Sequence, residues 1–194
     1  MSLTLKEKQS NYEFMRILSM FMIVFWHVIG NNVPIGSLNS SLSFCFKFIQ
    51  TCIVVHVNSF VLLSGYFSTG KTTTWRKGLS IFFTSWFYRV VFACLLFFTA
   101  WVPLSHIQFF QEIMPFDLKN YWFINCYLVL LLLVPFLNIL IHHMTERQHK
   151  YLLFVSFFLF SIVPFLTSQA TVSNDGYTVI QFIFLYFLGA YLKK

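Results

Sequence analysis

Polar residues along this chain come in short clusters, and between them lie long runs of apolar side chains. The runs cover roughly 12–29, 42–67, 79–102, 121–141, 151–166 and 178–192. A helix needs about 20 apolar residues to cross about 30 Å of hydrocarbon, with a lower limit near 17. The first four runs reach that range and the last two lie near its lower limit. None shows the period-2 alternation of a barrel strand, whose residues face lipid and lumen in turn. The pattern therefore predicts an all-α, multi-pass transmembrane helical bundle of about six helices. No internal repeat is visible, and residues 1–194 read as a single membrane domain.

Charge fixes the expected orientation. Lys6 and Lys8 precede the first run, Lys71, Arg76 and Lys77 follow the second, Arg147 and Lys150 follow the fourth, and Lys193 and Lys194 follow the sixth. The alternate loops, 30–41, 103–120 and 167–177, carry only Lys119. Basic residues concentrate in cytoplasmic loops, so both ends of the chain are expected in the cytoplasm. The net charge of +7 is then a matter of topology and of anionic inner-leaflet lipid, and gives no argument for a nucleic-acid partner.

Composition agrees with a lipid solvent. The 194 residues are 58% hydrophobic, 21% aromatic and only 10% charged, too little polar surface for a soluble domain. Twenty-seven Phe against seven Gly also exclude a fibrous or low-complexity chain. The first apolar run is long and lacks a small-residue cleavage pattern after it, so it reads as an anchor that stays attached. Cys45, Cys52, Cys94 and Cys126 fall within the apolar runs without CxxC spacing and read as small buried hydrophobes.

Two residues break the first run. Arg16 and His27 are eleven positions apart, about 1100° of helical rotation, which returns to within roughly 20° of the same face about 16 Å along the axis. Glu13 stands three residues before Arg16, a neighbour spacing on a helix that partly neutralises the cation. His27 lies in the outer half, where an imidazole kept neutral by burial can act as a base. The alternative is that Arg16 snorkels to the inner headgroups while His27 bonds a neighbouring helix. Arg89 lies near the middle of the third run and must face protein or a wet cavity, as an anion contact or a bond to backbone carbonyls. His56 could approach His27, but two histidines without carboxylate or thiolate support make a poor metal site. His142, His143 and His149, with Glu146, read as solvated loop residues. No metal site is expected.

An acidic residue, an Arg three positions later and a His eleven beyond it in the first membrane helix resemble the signature of the integral-membrane acyltransferase 3 family, carried here by Glu13, Arg16 and His27. The stretch VNSFVLLSGYF at 57–67 is similar to the family's segment ending in Ser-Gly, here Ser64 and Gly65. KTTTWRKGLSIFF at 71–83 resembles the basic loop that follows. YWFINCYLVLLLLVPFLN at 121–138 resembles a later helix, with Trp122, Phe123 and Pro135 as the matching residues.

The resemblance implies transfer of an acyl group, commonly acetyl from acetyl-CoA, to hydroxyls of cell-surface carbohydrate or another exported acceptor, by a multi-pass protein of the cell membrane. It implies His27 as general base or acyl relay, Arg16 as the residue positioning His27 or the anionic donor, and Glu13 orienting Arg16. Arg89, Arg76, Lys71, Ser64 and Trp122 are the candidates for donor or substrate contacts. Acyl-CoA is a donor substrate, and no bound cofactor is expected. Members of the family usually have about ten membrane helices, so this chain reads as resembling an N-terminal portion, with self-association or further helices expected as partners. One rival reading is a small transporter or channel-like subunit using the intramembrane Arg and His, and a third is a truncated, inactive membrane scaffold derived from the enzyme.

Overall fold

A computed structural model describes residues 10–71, 75–99, 105–114, 122–167 and 176–194. Among the described residues every regular element is helical. These are α1 (Ser10–Asn32), a 3-10 turn (Ile35–Ser37), α2 (Ser40–Ile53), α3 (His56–Ser68), α4 (Trp75–Thr99), α5 (His106–Ile113), α6 (Trp122–His143), α7 (Glu146–Phe157), a π-helical turn (Phe158–Ile162), α8 (Val163–Thr167) and α9 (Val179–Leu192). Five spans, Ser10–Gly30, Ser40–Ser68, Arg76–Thr99, Trp122–His143 and Glu146–Thr167, are long and apolar enough to cross a membrane, and Val179–Leu192 is a shorter apolar helix. The six apolar runs are thus six helical passes or near-passes.

Contacts between helix ends show how the passes alternate. At one end, Tyr12 Oη donates to Tyr66 Oη at 3.0 Å, and Asn138 Nδ2 donates to the Ser68 and Lys71 carbonyls at 3.2 and 3.1 Å. The Lys193 ammonium reaches the Thr69 carbonyl at this same end. The start of α1 and the ends of α3, α6 and α9 therefore meet there, beside the basic residues. At the opposite end Trp122 packs on Tyr177 with ring centroids 4.6 Å apart, and Trp26 tilts against His56 at 5.6 Å. Both described chain ends lie at the basic end, as an even number of crossings requires.

α9 is the centre of the bundle. Gln181, Phe182, Phe184, Leu185, Tyr186, Phe187, Gly189 and Ala190 are all buried, and a helix apolar all round finds its place inside a core. α3 packs most extensively against it. The approach is possible because glycines meet: a Cβ on Gly189 would stand 2.2 Å from the Leu62 carbonyl oxygen, and one on Gly65 2.6 Å from that of Tyr186. Small residues at such crossings let backbones touch, which supplies the packing that association in lipid depends on. Tyr186 Oη donates to Asn138 Oδ1 at 2.7 Å, tying α9 to α6. α1, by contrast, turns Phe14, Ile17, Phe21, Val24 and Val28 outward, a stripe at helical spacing suited to lipid.

Three local expectations are corrected. The run at 42–67 is two helices, broken at Val54 and Val55. There the His56 ring takes the Ile53 carbonyl through Nδ1, replacing a partner that a continuous helix would supply. Residues 106–113 of the loop at 103–120 form α5, started by a capping box in which Ser105 and Gln108 bond each other's backbone. His149 is no solvated loop residue: α7 begins at Glu146, capped by Thr145, and His149 is fully buried with Nε2 3.0 Å from the Phe187 carbonyl oxygen. The apolar wall of α9 draws the ring inward.

Candidate functional site

The Arg16–His27 stripe on α1 runs along the edge of the bundle, and His27, expected to be buried, is exposed because the cavity beside it is open. At the basic end the Arg16 guanidinium lies 3.3 Å from Glu13 Oε1 and stacks 4.7 Å over the Phe67 ring. Lys71 Nζ sits 5.8 Å from the same ring. The turn that carries Lys71 follows from Gly70, whose φ of 74° is the left-handed conformation that ends a helix without a Cβ penalty. Arg76 is exposed in the first turn of α4. The structure thus brings Glu13, Arg16 and Lys71 together around one aromatic ring. Midway along the stripe Ser19 is buried and donates to the Met15 carbonyl at 2.8 Å.

The other end of the stripe opens into a cavity of about 1210 Å³, lined by Ile23, Trp26 and His27 of α1, His56 and Asn58 of α3, Glu112 of α5, Trp122 of α6, and Tyr177 and Gln181 beside and within α9. Among the described residues no hydrogen bond or ion pair reaches the His27 ring. Trp122 is held in the wall by edge contacts to Tyr177, Phe123 and Phe182. The cavity combines aromatic faces with a few polar groups, as small-molecule sites do.

Arg89 stands behind this wall. It is 8% exposed, and its two terminal nitrogens donate to the Met114 and Gln111 carbonyls, both at 3.0 Å. Those are the carbonyls at the C-terminal end of α5, which have no partner within so short a helix, and a cation there also meets the negative end of the helix dipole. Arg89 Nε faces Glu112 Oε2 at 3.6 Å. Trp86 Nε1 adds a bond to the Ile113 carbonyl at 3.0 Å, and Phe97 packs on Phe109 at 4.5 Å. α5 therefore folds back along α4 and delivers Glu112 to the cavity. Ser64 lies between the two ends of the site, bonding the Phe60 carbonyl at 3.0 Å and Tyr127 Oη at 3.1 Å.

Of the residues singled out from the sequence, His27 and Trp122 share the cavity, and Glu13, Arg16 and Lys71 share the basic end. Arg89 meets the cavity wall through Glu112. Gln181 and Glu112 went unnoticed in the sequence. Glu112 had a readable signal, the Ser105-x-x-Gln108 capping pattern, which announces the helix that carries it. Gln181 had none beyond being an amide in an apolar helix.

A family model described as Acyltransferase domain, of the acyltransferase 3 type, matches residues 10–194. No curated protein and no solved structure matches the chain.

Proposed function

The chain belongs to the acyltransferase 3 family, and on that premise we propose that it transfers an acyl group, acetyl by preference, from acyl-CoA to a hydroxyl of cell-surface carbohydrate or a related exported acceptor. It works in the cell membrane, with its basic end in the cytoplasm.

The observation that carries this reading is the division of one α1 stripe between two unlike places. Arg16 and Lys71 flank Phe67 at the basic end, while His27 lines the cavity at the other, about 16 Å away on a straight helix. A CoA thioester has the same division: its phosphates and its reactive carbonyl are separated by a long neutral arm. Arg16 and Lys71, with Arg76 nearby in sequence, suit the phosphates through charge-assisted bonds. The arm then brings the carbonyl to His27.

In the reaction the acceptor O–H gives its proton to a His27 ring nitrogen as the oxygen attacks the thioester carbonyl carbon. The C–O bond forms and the C–S bond breaks. The departing thiolate takes the proton back from the imidazolium, which restores neutral His27 and balances the exchange. Glu13 keeps Arg16 oriented and is not in contact with the reacting atoms.

His27→Ala in the full protein should lower acyl transfer by at least ~100-fold, the smaller end of what a positioned base contributes. Membrane insertion should be unaffected, since the helix becomes more apolar. Transfer at the parental rate by a correctly inserted His27→Ala protein, measured as acyl groups released from surface glycan by mild base, would rule out the base.

A further inference from the structure

Two polar side chains in the cavity have no part in the chemistry above. His56 opens α3, is 6% exposed, and places Nδ1 2.5 Å from the Ile53 carbonyl oxygen. A carbonyl only accepts, so Nδ1 carries the ring proton and donates it. In the neutral form of the ring, Nε2 is then a bare acceptor. This tautomer is set by backbone at the α2–α3 break and so does not depend on a mobile side chain. Trp26 holds the ring from the side at 5.6 Å.

Gln181, on α9, is 9% exposed, and its Oε1 is buried without a hydrogen-bond partner. Buried polar atoms in native structures nearly always have a partner, and a ligand hydroxyl can supply one here. Glu112, whose Oε2 lies 3.6 Å from Arg89 Nε, adds a carboxylate, an acceptor-only group when ionised, to the same wall. Acceptor atoms gathered in one wall repel anions and attract hydroxyl donors. The flat faces of Trp26, Trp122 and Tyr177 add apolar area, against which the C–H side of a sugar ring can lie.

We propose that His56 Nε2 and Gln181 Oε1 bind the acyl acceptor, each accepting a hydrogen bond from one of its hydroxyls, and so select a polyhydroxylated acceptor over a simple alcohol. The proposal rests on the cavity being the site of acyl transfer. His56 and Gln181 hold the acceptor while His27 takes the proton.

The test is binding without donor. The full chain, purified in a sugar-free detergent, is titrated with methyl glycosides of glucose, galactose, mannose and N-acetylglucosamine while tryptophan fluorescence reports on Trp26 and Trp122. At least one glycoside should bind the parent protein. His56→Phe and Gln181→Leu should each weaken that binding tenfold or more, and Gln181→Glu, which keeps an acceptor oxygen at the same place, should weaken it less. If a variant fails to fold, deoxy analogues test the parent directly, and removing a hydroxyl that the pair holds should cost tenfold in affinity. Failure of every glycoside to bind the parent, variants that bind as the parent does, or indifference to all deoxy positions would overturn the proposal. If His27→Ala transfers normally while the His56 and Gln181 variants lose the sugar, the acyl-transfer reading fails and the sugar site stands. If His27→Ala is inactive while those variants bind normally, the reverse holds.

Discussion

Arg89 shows how one side chain can matter to the site without touching it. Its guanidinium completes two carbonyls at the end of α5 and faces Glu112, and a hydrogen bond from a charged group contributes about 1.5–3 kcal/mol. Arg89→Leu should therefore loosen α5 and spare the bundle's centre. Hydrogen exchange over residues 106–114 should quicken at least tenfold, a factor equal to about 1.4 kcal/mol, while 179–192 keeps its protection. Unchanged exchange in 106–114 would show that Trp86 and Phe97 hold α5 without the cation. From the sequence Arg89 belongs in protein or a wet cavity, because a cation facing lipid is costly. Whether its partner is a ligand or a carbonyl depends on a helix folding back from 22 residues further on, which no local pattern reveals. The Arg16–His27 stripe was legible for the opposite reason: both residues sit on one helix, and helical geometry alone relates them.

Among the elements, the α3–α9 crossing sets the tightest packing. A methyl on Gly189 would press on the Leu62 carbonyl oxygen at 2.2 Å and the Tyr66 nitrogen at 2.8 Å, and backbone atoms cannot swing aside as a long side chain can. Gly189→Ala should destabilise the fold by at least the ~1–3 kcal/mol typical of overpacking, seen as a lower midpoint of thermal unfolding in detergent. Gly30→Ala is the control: no atom lies within 4 Å of its added Cβ, so the midpoint should hold or rise slightly. Equal midpoints for Gly189→Ala and the parent would mean that the two helices do not cross this closely. The six apolar runs could be read from hydropathy because lipid imposes length and composition on each helix separately. α5 escaped that reading because an eight-residue helix answers to a capping pattern and to partners on α4. The break before His56 escaped it because Ile53, Val54 and Val55 are as apolar as the helices on either side.

For the whole molecule, the meeting of Tyr12 with Tyr66 and of Lys193 with Thr69 puts both described ends on the basic side. With that side in the cytoplasm, tags at either terminus should resist added protease in intact cells and be cut once the cells are opened. Cleavage of a tag in intact cells would reverse the orientation or break the even count. The depth of the cavity comes from α9. Its 14 residues span about 21 Å, against about 30 Å of hydrocarbon, and the shortfall lies where Gly176 and Tyr177, just before the helix, line the cavity. Water admitted there would carry the electrical potential of the outer solution inward. The transmembrane voltage would then fall across the protein layer between His27 and the Arg16–Lys71 end. Each elementary charge driven through that layer meets about 2.3 kcal/mol per 100 mV, which a neutral acyl arm does not feel. If the donor's phosphates stay with Arg16 and Lys71, abolishing the membrane potential with an ionophore should change the transfer rate by less than about twofold. A rate that follows the voltage steeply would mean that charge itself makes the crossing.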